Sequence, residues 1–323
     1  MLHPMAVYGN LLSGLLLHYL MKKVMPSFQL SLNITKNLIN EIYSFASWIV
    51  VGRVNRLAVN ALPPVLIGMY IGPSGIAYFD IGSKIVQALN NLIASSVSVL
   101  FPFVSELKTL KSTEKIKTSY IGANRLLSLV SSPIYCFGAI YSWDLLYLWL
   151  GSDVADATWM LTMTFFFGYY LSSSTMVPSF FSLGVGNSRI LALNGFVQAI
   201  IVILFLPSLL KHFGLFGAGL NLILFESVSI ITGIIITIKI INASAFTFWV
   251  RDRLLILFVS SVIFLALSPV KYLFFKGTMT RVETAGYLFF VLFFGLFIYG
   301  IIVNFSNILD EKTKGHLTKI IKR

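Results

Sequence analysis

Two arginines stand three residues apart inside an otherwise apolar run, WIVVGRVNRLAVNALPPVLIG, from Trp48 to Gly68. At about 100° per residue, Arg53, Arg56 and Asn60 share one face of a helix. The following apolar run carries Asp80, Lys84, Gln87, Asn91, Ser95 and Ser98. Their steps of four, three, four, four and three trace one continuous helical face. Arg125 leads a weaker repeat with Ser128 and Ser132, and Asn194 and Gln198 form a neutral i,i+4 pair. Glu226 is an acid deep in a later apolar run.

The chemistry open to this set is anion binding and ion coupling. A guanidinium grips phosphate oxygens in a fork, an ammonium acts as a compact charge, and a low-dielectric basin of net positive sign concentrates anions. Arg53, Arg56, Asn60, Lys84, Gln87, Asn91 and Arg125 are therefore the candidate substrate-binding residues. Asp80 and Glu226 are the candidate proton or cation sites. Asp80 and Lys84 have the i,i+4 spacing of an ion pair.

Each stripe has a plainer reading. Arg53 and Arg56 could snorkel to an interface, and the second stripe could be a helix–helix seam closed by hydrogen bonds. A charge at the centre of a bilayer costs roughly 2.5–3.5 kcal/mol on insertion scales, and intramembrane charge usually faces a water-filled cavity. Arg53 lies deep for snorkelling, and lysine is excessive for a seam. Both points favour the cavity.

The elements that must position these residues are membrane helices. The chain has 323 residues, of which 57% are hydrophobic and 11% charged, against about 25% charged in soluble domains. The apolar stretches are continuous, with none of the alternation of barrel strands. Nine spans are expected, near Met5–Met21, Ile42–Ile71, Ile76–Ser105, Tyr120–Tyr141, Thr158–Ser174, Ile190–Leu209, Leu215–Ile238, Leu254–Lys271 and Ala285–Asn304.

The net charge of +12 does not point to nucleic acid, because the basic residues collect in alternate loops. Loops Lys22–Asn40, Glu106–Ser119, Leu183–Arg189, Lys239–Arg253 and the tail from Phe305 hold sixteen of the 24 lysines and arginines; the opposite loops hold four. The positive-inside rule then makes the sixteen-residue side, with the C-terminus, cytoplasmic. Met5–Met21 has Lys22-Lys23 after it and no base before it. It reads as the last span of an absent upstream region, or alternatively as a signal anchor with its N-terminus outside.

Cys136 is alone, the four histidines show no ligand spacing, and no phosphate-binding glycine loop occurs. No metal, cofactor or catalytic residue is expected. Two glycine-bearing turns, GVGNSR and FGLFGAGLN, read as architecture that lets helices turn and approach.

Four stretches together resemble polysaccharide flippases of the multidrug/oligosaccharidyl-lipid/polysaccharide exporter superfamily: IGPSGIAYFDIGSKIVQ, SVLFPFVSEL with Pro102, SLGVGNSRILALN and KHFGLFGAGLNLIL. They cover roughly Glu41 to Asn242. The resemblance implies an all-α polytopic bundle: one six-helix half (41–242), two further helices with a basic cytoplasmic tail (243–323), and one preceding helix with a linker (1–40). It also implies transport, in a bacterial inner membrane, of an undecaprenyl-diphosphate-linked oligosaccharide by alternating access. The partners implied are that lipid-linked substrate, the bilayer, and the polysaccharide polymerase and chain-length machinery.

Two other functions compete. A membrane-embedded polymerase or glycosyltransferase would carry bases or catalytic acids in a long external loop. The longest here, SWDLLYLWLGSDVADA, has three aspartates and no base. A drug/cation antiporter of the same superfamily would use Glu226 or Asp80 as its ion site, in a cavity richer in acids than bases.

Overall fold

The computed structural model describes residues 13, 14, 23, 36–242, 244, 253–271 and 279–305. The chain divides into two units, Met1–Ser44 and Phe45–Arg323, and the packed bundle belongs to the second. The span expected at Met5–Met21 lies outside the described residues, apart from Ser13 and Gly14, which are helical.

The described elements are α1 (Lys36–Tyr70), α2 (Pro73–Ser98), α3 (Leu100–Thr109), α4 (Thr113–Ile140), α5 (Ser142–Leu150), α6 (Ser152–Gly184), α7 (Arg189–Phe213), α8 (Phe216–Ile235), α9 (Leu255–Leu267) and α10 (Arg281–Phe305). A π-helical turn, Ile236–Ile240, continues α8. The other eight expected spans all fall on helices, and the protein is an all-α polytopic membrane protein. Among the described residues, four spans can cross a bilayer by length and composition: Pro73–Thr109, Arg189–Phe213, Phe216–Ile240 and Arg281–Phe305. The pair α4 and α5, bent by 69°, makes a fifth if taken as one span.

Breaks follow from local chemistry. Gly72 takes φ 105°, which a side chain resists, and Pro73 then starts α2 where its missing N–H costs nothing. Pro102 cannot donate, and its ring crowds the carbonyl four residues back, that of Ser98, where α2 ends. The segment Ser142–Ala157, expected as a loop, is helical. SWDLLYLWL contains no breaker, and the chain interrupts its helix only at Gly151, with φ 94°.

The central helix is α6, which packs against α2, α3, α4, α5 and α8. It is also rich in hydroxyls, which makes it less apolar than the four spans named above. Those hydroxyls return to their own backbone. Thr158 donates to the Val154 carbonyl at 2.6 Å, Thr162 to Thr158 at 3.0 Å, Thr164 to Leu161 at 2.7 Å and Ser173 to Tyr170 at 2.7 Å. Satisfied this way, small polar residues let neighbours come close. A Cβ on Gly82 would stand 2.9 Å from Thr162 Oγ1, and one on Gly168 2.7 Å from the Leu222 side chain. Gly217 and Gly219, in the first turn of α8, are more crowded still, by the Leu209 carbonyl and by Thr164. The glycine turns are architectural, as expected.

A second packing region joins α4 to α9 and α10. Phe137, Tyr141, Phe264 and Tyr287 form an edge-to-face cluster there. Tyrosine hydroxyls donate across its seams to backbone carbonyls: Tyr141 to Phe264 at 2.9 Å, Tyr287 to Ser268 at 3.2 Å and Tyr299 to Leu129 at 2.9 Å. The last has a clear cause. Pro133 lies inside α4 and supplies no N–H to the carbonyl four residues back, which is that of Leu129. Tyr299 of α10 replaces the missing donor, as a backbone group in hydrocarbon requires.

Candidate functional site

Helix α1 rests on α7 through Trp48, Gly52 and Asn55. Asn55 Nδ2 donates to the Ala192 carbonyl at 3.1 Å, and the Arg189 guanidinium lies 5.4 Å from the Trp48 ring centroid. Arg53, Arg56 and Asn60 sit roughly a quarter-turn round the helix from that docked face. Helix α2 is docked on α6 through Gly82, which leaves Asp80, Lys84, Gln87 and Asn91 turned outward.

Both outward faces line one cavity of about 1140 Å³. It exceeds the roughly 300–1,000 Å³ of sites for drug-sized ligands. All seven of these residues line it, and Glu226 lines it from α8. Glu226 is buried, with Ser172 and Ser229 beside it and Arg56 as the cation whose charge reaches it.

Two expectations are corrected. Arg125 does not line the cavity. It is 4% exposed, within α4, whose polar face meets packed helices: Ser132 donates to Tyr170 Oη at 3.4 Å, and Tyr120 bonds Thr237 at 2.5 Å. Helical periodicity identifies a face but not what the face meets. Asp80 and Lys84 do not pair; among the described residues the ion pair formed is Lys271 to Asp144, at 2.6 Å. Among the described residues the cavity therefore holds three cations, Arg53, Arg56 and Lys84, against Asp80 and Glu226.

Other lining residues escaped the sequence reading. Tyr169, Ser172, Thr175 and Ser179 line the cavity from α6, at steps of three, three and four within YYLSSSTMVPS. That spacing was the available signal. Arg253, read as a loop residue, is buried at the start of α9, with Nη2 donating to the Ser173 carbonyl at 3.2 Å.

The wall beside α1 is built from α7 and α8. Asn194 Nδ2 and Gln198 Nε2 both donate to Ser229 Oγ, at 3.2 and 2.8 Å, and Thr232 donates to Asn194 Oδ1 at 2.9 Å. These groups bind the two helices together. Asn221, 1% exposed and also on this wall, has no acceptor for its Nδ2. A buried, unpaired amide costs about 1–3 kcal/mol.

Fold and site together define a polytopic helical membrane protein with a charged polar cavity. Comparison with known proteins places it further. Residues 4–158 match the model of a family described as polysaccharide biosynthesis proteins. A relative from Shigella flexneri, named "Putative O-antigen transporter", is 19% identical over 180 residues, 56% of this chain and 42% of the relative. The match thus spans less than half of that relative's length. No solved structure matches the chain. The two matches bear out the resemblance to the polysaccharide flippases.

Proposed function

We propose that the chain takes part in moving an undecaprenyl-diphosphate-linked oligosaccharide across the bacterial inner membrane by alternating access. The observation that carries this reading is the convergence of Arg53, Arg56 and Lys84 on one cavity within a bundle of membrane helices. A diphosphate must be kept from hydrocarbon, and fixed guanidinium and ammonium groups replace its water. The polysaccharide match and the O-antigen relative support the substrate class. In this reading Asn60, Gln87 and Asn91 supply neutral hydrogen bonds beside the cations, while Asp80 and Glu226 exchange a proton or cation during the cycle. Arg125 stays outside the binding set.

Under the same proposal 41–242 is one six-helix half, 243–323 adds two helices and a cytoplasmic basic tail, and 1–40 supplies a preceding helix and linker. Polymerase and chain-length proteins would receive the product.

The test is translocation of a lipid-linked oligosaccharide, measured beside the amount of membrane-inserted protein. Arg53→Gln/Arg56→Gln is expected to abolish transport at normal protein level, with lysine at both positions rescuing in part. Wild-type transport by the glutamine double variant would overturn the anion-binding role.

A further inference from the structure

Contacts between neighbouring helices fix the depth of each charged side chain along the cavity. Helix α1 runs beside α7 with Asn55 against Ala192 and Gly195, so Arg56 stands level with Gly195. Asn194 and Gln198 of α7 both donate to Ser229, which puts that level at Ser229 on α8. Lys84 is placed by a second chain of contacts. Gly82 of α2 abuts Leu161 and Thr162 of α6, and Gly219 of α8 abuts Leu161 and Thr164. Lys84 therefore stands level with Gly219 and Leu220. Nine or ten residues of α8 separate the two levels, about 14 Å at about 1.5 Å per residue. Arg53, three residues earlier on α1, lies about 4.5 Å farther still from Lys84.

Side-chain direction widens the gap. Helices α1 and α2 are antiparallel, and a helical side chain leans toward the N-terminus of its own helix, so the arginines and Lys84 lean apart. The interval holds neutral amides, Asn60, Gln87 and Asn91, and the Glu226 carboxyl; among the described lining residues it holds no cation. A diphosphate is two phosphorus centres bridged by one oxygen, and a charge-assisted hydrogen bond spans about 2.7–2.9 Å. It cannot reach both levels at once. We infer that the cavity contains two anion stations in series. Arg53 and Arg56 grip a diphosphate in guanidinium forks at the end where α7 begins, and Lys84 receives it deeper, toward the Pro73 end of α2. The three amides donate to the anion on its way. Glu226, an acceptor beside Arg56, keeps it from resting between the stations. The inference rests on the proposed transport of a diphosphate-linked substrate, and replaces one shared grip by two successive ones.

The experiment titrates inorganic pyrophosphate into the full chain in phosphatidylcholine nanodiscs, read by calorimetry. Wild type is expected to bind two ions. Lys84→Gln is expected to bind one and Lys84→Arg two. Arg53→Gln/Arg56→Gln is expected to bind one, which is lost when Lys84→Gln is added. Melting temperatures are expected to match wild type, because the three cations are exposed and form no ion pair among the described residues. Undecaprenyl diphosphate is expected to displace pyrophosphate. A single ion in wild type, weakened at least tenfold by Lys84→Gln and by the arginine variant alike, would overturn the two stations and leave the diphosphate reading standing. Two ions retained by Lys84→Gln would likewise overturn them. Two ions that the lipid fails to displace would keep the stations and reject the lipid as their ligand. No pyrophosphate bound by wild type would overturn both readings.

Discussion

The cavity wall and the α4–α9–α10 seam use polar residues in opposite ways. At the seam, hydroxyls find carbonyls that a proline or a helix end has left over, and the aromatic rings exclude everything else. At the cavity, Asp80 and Lys84 stand a turn apart without pairing. The difference shows where this chain spends stability and where it withholds it. Groups paired in the resting structure hold helices together, and groups left unpaired are available to a ligand.

That contrast can be broken by substitution. The largest effect is expected at Gly295, where a Cβ would stand 2.5 Å from the Phe264 ring. Gly295→Leu is expected to separate α10 from α9 and leave little folded protein, read as loss of the monodisperse peak in detergent size exclusion. Overpacking of this kind typically costs 1–3 kcal/mol or more, so about 3 kcal/mol is expected here. A normal elution profile would show that the seam is not tightly packed.

A smaller effect is expected from Tyr299→Phe, which strands the Leu129 carbonyl opened by Pro133. The cost is about 1–3 kcal/mol, measurable as a lower melting temperature in nanodiscs. Restoring the α4 donor with Pro133→Ala in the same chain should recover part of it; equal melting of wild type and Tyr299→Phe would remove the donor-replacement role.

The smallest effect belongs to the cavity. Since Asp80 and Lys84 form no ion pair, Asp80→Asn is expected to shift stability by no more than about 0.5 kcal/mol, as at other exposed sites. Transport is expected to fall while the melting temperature holds. A large drop in melting temperature would mean that Asp80 is structural and would blur the line between the two regions.

Much of this organisation was legible in the residues. The α2 stripe announced itself because Asp80, Lys84, Gln87 and Asn91 interrupt an apolar background at helical steps, which is information carried by one helix alone. Arg125 showed the same signal and faced a packed interior instead, because the partner of a face is decided by tertiary packing. The hydroxyl side of α6 was missed for a different reason. Serine and threonine can vanish into their own helix backbone, so their number says little about whether they face a cavity. The helical segment Ser142–Leu150 was obscured by its aspartate and its place between two longer spans, although only Gly151 supplies a break.

The break at Val99 carries a mechanical consequence. Together α2 and α3 run from Pro73 to Thr109, 37 residues. At 1.5 Å per residue the assembled rod is about 55 Å long, against a hydrocarbon thickness of about 30 Å. One end must therefore stand clear of the bilayer, and the crowded contact of Gly184 with Val104 anchors α3 to the far end of α6. Lys108 fastens the same tip by donating to the Val185 carbonyl at 2.6 Å. A tilt of α2 at the cavity would be delivered through this strut to the turn that joins α6 and α7. The rod is a lever, and its shorter arm, about 25 Å, lies outside the membrane.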